Sequence, residues 1–440
     1  MSRLFICCFA AVLGVAHAAP ATAIDSNVTL EEVWRVVQAQ QAQIDVLSKA
    51  LEATKTSLET TQTSLEATQT SLEATETKVA ITEEQLIATA DYLDEVQVAA
   101  QPAAGNRLSI GGYGELHYNS LNADDASRDL NEFDFHRFVT FFDYEFNERL
   151  RFFSEIEIEH SLVKDTEDGS NGGEVEIEQA YIEADLNENH YAKVGLFLLP
   201  IGILNETHEP PTFYGVERND VENVIIPSTW WEAGIGLGGR YRSGLSWDFA
   251  VHSGLEMPSF GSSAYRVRSG RQKVSHAAGD DLAYSLRLKY TGVPGLELAT
   301  TLHHQTDASQ LDGDGLDTGT LIEIHSVFNR GPFSVRALWA EWNFDGPGVE
   351  LAGVDKQSGW YIEPSWRFDS NHGDWGVYTR FEDVEGARSR DRFDQWEFGV
   401  NYWPTDAVVL KFDYRDRKHD LTSEAGRDFH GIDLGVGYQF

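Results

Sequence analysis

The sequence predicts an all-β transmembrane barrel of sixteen antiparallel strands over residues 108–440, preceded by an N-terminal α-helical coiled coil over residues 25–100. Three features point there. After residue 107, short stretches alternate strictly between apolar and polar side chains. The spacers between those stretches are by turns short and long, and before residue 101 the apolar period is seven rather than two.

The chain opens MSRLFICCFAAVLGVAHAAPA, with Arg3, an apolar run from Leu4 to Val15, and small residues flanking His17. Residues 1–18 therefore read as a secretory signal peptide cut after Ala18. The run is too short to cross a bilayer as a helix, and no later stretch approaches the roughly 20 apolar residues a spanning helix needs. Insertion into a membrane has to use strands, which satisfy their backbone polar groups by pairing with one another. Both cysteines, Cys7 and Cys8, lie in the signal, so the mature chain holds no disulfide, cysteine metal site or thiol nucleophile.

Leu51, Leu58, Leu65 and Leu72 recur every seven residues in LEATKTSLETTQTSLEATQTSLEATETK. The register runs back through Ile44, Val37 and Leu30 and forward through Val79, Leu86 and Leu93. Taking these as position a puts Val33, Leu47 and Val96 at d, with Thr54, Thr61, Thr68 and Thr75 at d in the middle. A sustained seven-residue repeat forces a left-handed supercoil, and threonine weakens its seam, so the coil depends on whatever holds the subunits together. At about 1.5 Å per residue the stretch from Leu30 to Val96 reaches on the order of 100 Å. The competing reading is a low-complexity Thr/Glu linker with no stable pairing. Residues 101–107, QPAAGNR, end the helix with Pro and Gly and form a linker.

Strand candidates follow near 108–118, 133–147, 150–161, 174–187, 191–199, 229–242, 245–255 and 280–291. The second half adds 295–305, 319–330, 332–343, 357–368, 374–383, 393–403, 406–417 and 429–440. Short spacers such as NERL, NENH, RSGL and SNHG fall after every even strand and long polar ones after every odd strand. A soluble sandwich has no reason to sort its loops in this way, whereas an outer-membrane barrel does. In the last strand, FHGIDLGVGYQF, the alternation places Ile432, Leu434 and Val436 toward hydrocarbon, Tyr438 and Phe440 at the interface, and Asp433 and Gln439 toward water inside. Aromatic residues near strand ends, among them Trp230, Trp231, Trp339, Trp342, Trp360, Trp366, Trp396 and Trp403, suit interfacial girdles.

Basic residues between lipid-type neighbours are then expected to line a wide, water-filled lumen: Arg151, Arg287, Lys289, Arg336, Arg367, Arg380, Lys411 and Arg415. Turning one outward would cost roughly 2–4 kcal/mol at the midplane. The spacer after the fifth strand, PIGILNETHEPPTFYGVERNDVENVIIPST, carries Glu206, Glu209, Glu217, Asp220 and Glu222 with a single Arg218, and apolar stretches that an external loop would not need. General porins fold a loop into the pore at this place. The expectation is a constriction whose carboxylates face the basic wall across a transverse field; the alternative is an external lid. The loop SSAYRVRSGRQKVSHAAG breaks the acidic trend with Arg266, Arg268, Arg271 and Lys273, which suits either anion capture at the mouth or lipopolysaccharide phosphate.

Overall, 34 basic residues stand against 71 acidic ones, a net of -37, which argues against nucleic acid as a partner. No nucleophile and base can be placed together, and no zincin, P-loop or nucleophile-elbow pattern occurs, so no catalytic residue, cofactor or metal ligand is assigned. LDGDGLDTG lacks the remaining ligands of a calcium loop, and adjacent His303 and His304 point to opposite faces of their strand.

The stretches GGYGELHYN, FDFHRFVTFFDYEFN, RFFSEIEIEHS, EQAYIEADLN and LFLLPIGILNETHEPPTFYGVERN together resemble the phosphate-selective porin O and P family, most strongly from Gly111 to about Gly239. The resemblance implies a homotrimer of sixteen-stranded outer-membrane barrels that pass anions. The terminal aromatic of the last strand resembles the signal read by the barrel-assembly machinery. The barrel region holds 57 acidic against 28 basic residues, a net of -29, which favours general diffusion of small hydrophilic solutes over phosphate selectivity. A tether joining the outer membrane to peptidoglycan through a periplasmic coil is the rival reading.

Overall fold

The computed structural model describes residues 107–162, 173–311 and 315–440, together with helical residues between 30 and 69. The signal peptide, the rest of the coil, residues 101–106 of the linker, and Asp312 and Asp314 lie outside the described residues. The chain divides into two units, Met1–Gln101 and Pro102–Phe440. In the first, Val33, Val37, Ile44, Leu47, Leu51 and Leu58 are exposed along one helix, so a single copy leaves the apolar stripe in water.

In the second unit the described residues form sixteen strands: β1 (Leu108–Ala123), β2 (Leu130–Asn147), β3 (Leu150–Glu159), β4 (Val175–Asp185), β5 (His190–Leu198), β6 (Trp231–Arg240), β7 (Leu245–His252) and β8 (Ala283–Val293). They continue with β9 (Leu296–Gln305), β10 (Gly319–Arg330), β11 (Phe333–Phe344), β12 (Lys356–Ser370), β13 (Gly373–Glu385), β14 (Arg392–Thr405), β15 (Val408–His419) and β16 (Phe429–Gln439). Each pairs antiparallel with its sequence neighbours, and β1 closes on β16 in a register running from Tyr113 opposite Gln439 to Ala123 opposite Phe429. Closure removes the sheet edges, which in hydrocarbon would leave unpaired N–H and C=O groups.

The period-two pattern sorts the faces. Ile432, Leu434 and Val436 are 38%, 43% and 39% exposed on the outer surface, while Asp433 between them is fully buried inside. Asp433 meets no water there: it accepts from Asn119 Nδ2 at 2.6 Å and pairs with Arg415 Nε at 2.5 Å. Trp339, Trp360, Trp366 and Trp396 stand exposed on the outer face, but Trp230, Trp231, Trp342 and Trp403 are buried, which corrects their expected place in the girdles. The last four occupy inward positions or the segment inside the barrel, where three of their N–H groups find acceptors: Trp230 Nε1 donates to Glu232 at 2.8 Å, Trp342 Nε1 to the Ile225 carbonyl at 2.9 Å and Trp403 Nε1 to that of Pro211 at 3.1 Å.

The interior is the larger departure from expectation. A dry apolar cluster joins Leu199, Ile201, Val221, Ile225 and Trp230 to Leu255, Met257 and Val267 of the loop after β7, and to the inward side chains Leu321, Leu338, Trp342 and Phe344. The wide water-filled bore is therefore corrected to a barrel whose middle is packed by its own segments. Burial of apolar surface at about 25 cal/mol per Å² drives those segments inward.

Candidate functional site: the plugged lumen and its two vestibules

Residues 199–230, between β5 and β6, lie inside the barrel and are stitched to the wall. At the neck, Asn205 Nδ2 donates to the Leu199 and Trp230 carbonyls at 2.7 and 3.0 Å, and Asn205 Oδ1 accepts from the Trp230 N–H at 2.6 Å. Further along, Val216 N–H donates to Asp413 at 2.7 Å, Asp220 N–H to Glu382 at 2.6 Å, and Lys411 Nζ to the Gly215 carbonyl at 2.7 Å. Asn401 and Arg336 donate to the Phe213 and Thr212 carbonyls at 3.2 and 2.8 Å. Polar side chains of β11 to β15 thus satisfy the irregular backbone that a buried loop would otherwise leave unpaired.

Close approach demands small residues on both partners. Gly215 has a φ of +87°, and a Cβ there would stand 2.5 Å from Glu397 Oε1. On the wall, a Cβ at Gly437 of β16 would meet Pro210 at 2.2 Å. Gly437 and Gly435, whose Cβ would stand 3.1 Å from Val216, are thus seats for the inward segment.

The expected constriction carboxylates take several distinct partners. Glu206 pairs with Arg287, which also holds Asp248 at 2.7 Å, and Asp220 pairs with Arg417. Glu217 accepts from Asn119 Nδ2 at 3.2 Å and faces His117 Nδ1 at 3.1 Å. Burial alone would raise the Glu217 carboxyl, but His117 first, then His136 and Arg415, hold it well below the usual carboxylate range. Glu222 faces no wall cation: it accepts from the Ile203 and Leu204 N–H groups at 2.8 and 2.6 Å and from Tyr361 Oη at 2.8 Å. Glu209 precedes the short helix Pro210–Thr212 without capping it, and Arg218 has Nε and Nη2 buried without hydrogen-bond partners among the described residues. The transverse field of separated charges is therefore corrected to direct ion pairs and backbone caps, because the segment touches the wall at these residues.

All eight expected wall cations sit on inward faces. Arg380, on β13, is fully enclosed by Glu363, Glu382 and Glu397 at 2.9, 3.2 and 2.6 Å. Arg151 pairs with Glu183 and Asp185, Arg367 with Asp374 at 2.9 Å while lying over the Trp403 ring, and Lys289 approaches Glu297 at 3.6 Å. Lys411 lies 3.5 Å over the Phe213 ring. The loop after β7 turns in at the mouth: Arg268 and Arg271 donate to the Ser228 and Thr229 carbonyls, Lys273 pairs with Glu174 and Glu176, and Arg266 stands 4.0 Å from Asp391. Burial first, then neighbouring Arg271 and Arg266, pull the Arg268 guanidinium well below its ordinary value, whereas Glu174 and Glu176 outweigh burial and raise the Lys273 ammonium.

Two of the cavities among the described residues lie toward opposite ends. At the short-turn end a cavity of about 380 Å³ is lined by Arg287, Lys289 and Arg336 against Glu206 and Glu297, and it reaches the β8–β9 turn. At the long-loop end one of about 370 Å³ is lined by Arg128, Arg390, Arg417, Arg427 and His419 against Asp391. Arg417, Arg128, Arg390 and Arg427 escaped the sequence reading. The first continues the Lys411, Asp413, Arg415 face by one more step of two, so periodicity could have found it; the other three lie on loops, where no period applies.

A closed sixteen-stranded antiparallel barrel with an apolar outer belt, short turns at one end, long loops at the other and a segment folded inside is an outer-membrane porin. Residues 108–440 match the model of the family "Phosphate-selective porin O and P", and the chain belongs to that family. A protein of Aquifex aeolicus (strain VF5), itself uncharacterised, is 31% identical over 335 residues, spanning 70% of this chain and 75% of that relative. Among solved structures, the anion-selective porin from Comamonas acidovorans superposes with a TM-score of 0.51 at 13% identity, covering 76% of this chain and 99% of that one. The outer-membrane channel DcaP of Acinetobacter baumannii gives a TM-score of 0.50 at 11% identity, covering 76% and 97%.

Proposed function

We propose that the protein is a diffusion channel, not an enzyme, for small hydrophilic solutes, with a preference for small anions. The observation that carries this reading is the lining of the two cavities. Each has an excess of basic over acidic side chains, three against two at the periplasmic end and four against one at the extracellular end, in a chain whose net charge is -37. A cationic funnel inside low-dielectric walls concentrates anions whatever the net charge of the distant surface. Residues 199–230 act as the constriction, with Glu206–Arg287 and Asp220–Arg417 setting its width. Most of the wall cations hold that segment in place, and the cavity-lining arginines carry selectivity. Arg266, Arg268, Arg271 and Lys273 brace the mouth; their pairing inside it argues against a role on lipopolysaccharide. The exposed heptad stripe of the N-terminal helix supports self-association of three chains as a periplasmic coiled coil.

Reversal potential across a planar bilayer under a potassium chloride gradient tests the selectivity. The wild-type trimer is expected to give an anion-selective potential, and the triple variant Arg128→Gln, Arg390→Gln, Arg427→Gln to move it toward zero. A cation-selective wild type would overturn the reading.

A further inference from the structure

On the side of the lumen away from the stitched wall, three ligand-type atoms converge with nothing to bind. Glu155 of β3, Glu178 of β4 and His208 of the inward segment are 1%, 0% and 3% exposed. His208 Nε2 stands 3.7 Å from both Glu155 Oε1 and Glu178 Oε2, too far for a hydrogen bond. Each of these three atoms is buried without a hydrogen-bond partner among the described residues. Leaving one such group unsatisfied is destabilising, and more so for a charged one; three aimed at one point call for a shared occupant.

The remaining atoms of the same side chains are all committed. Gln179 Nε2 donates to Glu155 Oε2 at 2.7 Å, and Thr229 Oγ1 to Glu178 Oε1 at 2.5 Å. His208 Nδ1 faces the Asn205 carbonyl at 3.2 Å. A carbonyl can only accept, so Nδ1 carries a proton, and in the neutral imidazole Nε2 presents its lone pair to the gap. Metal-binding histidines and carboxylates are held by outer partners of this kind. The backbone is adapted as well: the β3–β4 register shifts between Glu155, opposite Gln179, and Ile156, opposite Ile177. Glu178 is thus the extra residue of a bulge, the device by which a strand re-aims a side chain.

We propose that Glu155, Glu178 and His208 bind one divalent first-row transition cation, of which zinc is the representative. Zinc bonds to nitrogen and oxygen of about 2.0–2.2 Å at the tetrahedral angle put two ligands of one ion roughly 3.3–3.6 Å apart, so the two 3.7 Å histidine–carboxylate spacings need to close by only a few tenths of an ångström around the ion. An imidazole with two carboxylates suits such ions, whereas calcium asks for six to eight oxygens. Two other groupings, His117 with His136 and Glu217, and Asp134 with His136 and His160, approach similar spacing. There carboxylates already lie within hydrogen-bond distance of both nitrogens of His117, through Glu115 and Glu217, and of Nδ1 of His136 and His160, through Asp134, so those groups satisfy one another without an ion. The cation ties β3 and β4 to the constriction segment across the barrel from β11–β15, so it fastens the plug on its second side.

The test uses the full-length protein without a histidine tag, refolded in detergent with chelator or with zinc, then desalted and assayed for metal. One tightly held zinc per chain is expected, with a higher unfolding temperature for the zinc-refolded barrel. Affinity should fall more than about 100-fold in His208→Gln and Glu178→Gln, and about 10–100-fold in Thr229→Val, which removes only the outer partner. If the first two fail to fold, Thr229→Val and the cobalt spectrum of the wild type decide, since a nitrogen-containing ligand field is required. The proposal is overturned if the refolded wild type holds no zinc, as it would were the carboxylates neutralised by protons or by Arg218. Binding lost in His136→Gln but retained in His208→Gln would overturn it equally. Neither result touches the channel reading, which rests on the reversal potential.

Discussion

Asn205 shows how much one side chain carries inside a barrel. Its amide closes the neck of the inward segment by donating twice and accepting once, all in a buried place where water cannot substitute. Asn205→Ala would deny the Trp230 N–H its acceptor, although the Leu199 and Trp230 carbonyls keep the Ile201 and Leu199 N–H groups at 2.8 and 3.0 Å. We expect a loss of about 1–3 kcal/mol, read as a lower denaturant midpoint with unchanged β-sheet signal. An unaltered midpoint would mean that the neck is held by apolar packing alone. Glycines of β16 matter in the complementary sense, since Gly437 gives the room that Pro210 fills.

Among elements, the segment from residue 199 to 230 is the proposed constriction, and Glu217 gives its position a pH dependence. Its carboxyl titrates lower in the folded protein than in the unfolded chain. The contribution to holding the segment is therefore complete above the ordinary glutamate range near about 4.3 and is lost as pH falls through the lower folded value. Single-channel recordings should show steady current from about pH 7 down to about pH 5 and growing fluctuation below the ordinary glutamate range. Glu217→Gln should fluctuate at every pH without the acid step. A wild type equally steady in acid would show that the remaining contacts suffice.

For the whole molecule, the helical stripe and the barrel raise the question of assembly. One chain leaves Leu47, Leu51 and Leu58 exposed, each by about two thirds, and threonine at the middle d positions weakens any seam they form. Coil and barrel association are then expected to support each other. Deleting residues 25–100 should lower the temperature at which the oligomer dissociates in detergent gels while leaving the monomeric barrel folded. An unchanged dissociation temperature would assign assembly to the barrel surface alone.

Strand number, strand order, the outward face of the last strand and the sorting of short turns from long loops were legible in the sequence, and so was the inward placement of Arg380, Lys411 and Arg415. Each follows from a two-residue period or from the length of a spacer, which are local quantities. Only the tertiary structure decided what those inward charges do. Arg380 answers Glu363, Glu382 and Glu397 from neighbouring strands, Trp342 reaches Ile225, and His208 meets Glu155 and Glu178. Such partners lie on other strands or on a segment with no period of its own, and the fit between that segment and the wall is set by shape and hydrogen bonding across long stretches of chain. Hence the alternation of FHGIDLGVGYQF foretold which side faces lipid, but not that Asp433 and its neighbouring glycines would meet a packed interior rather than water.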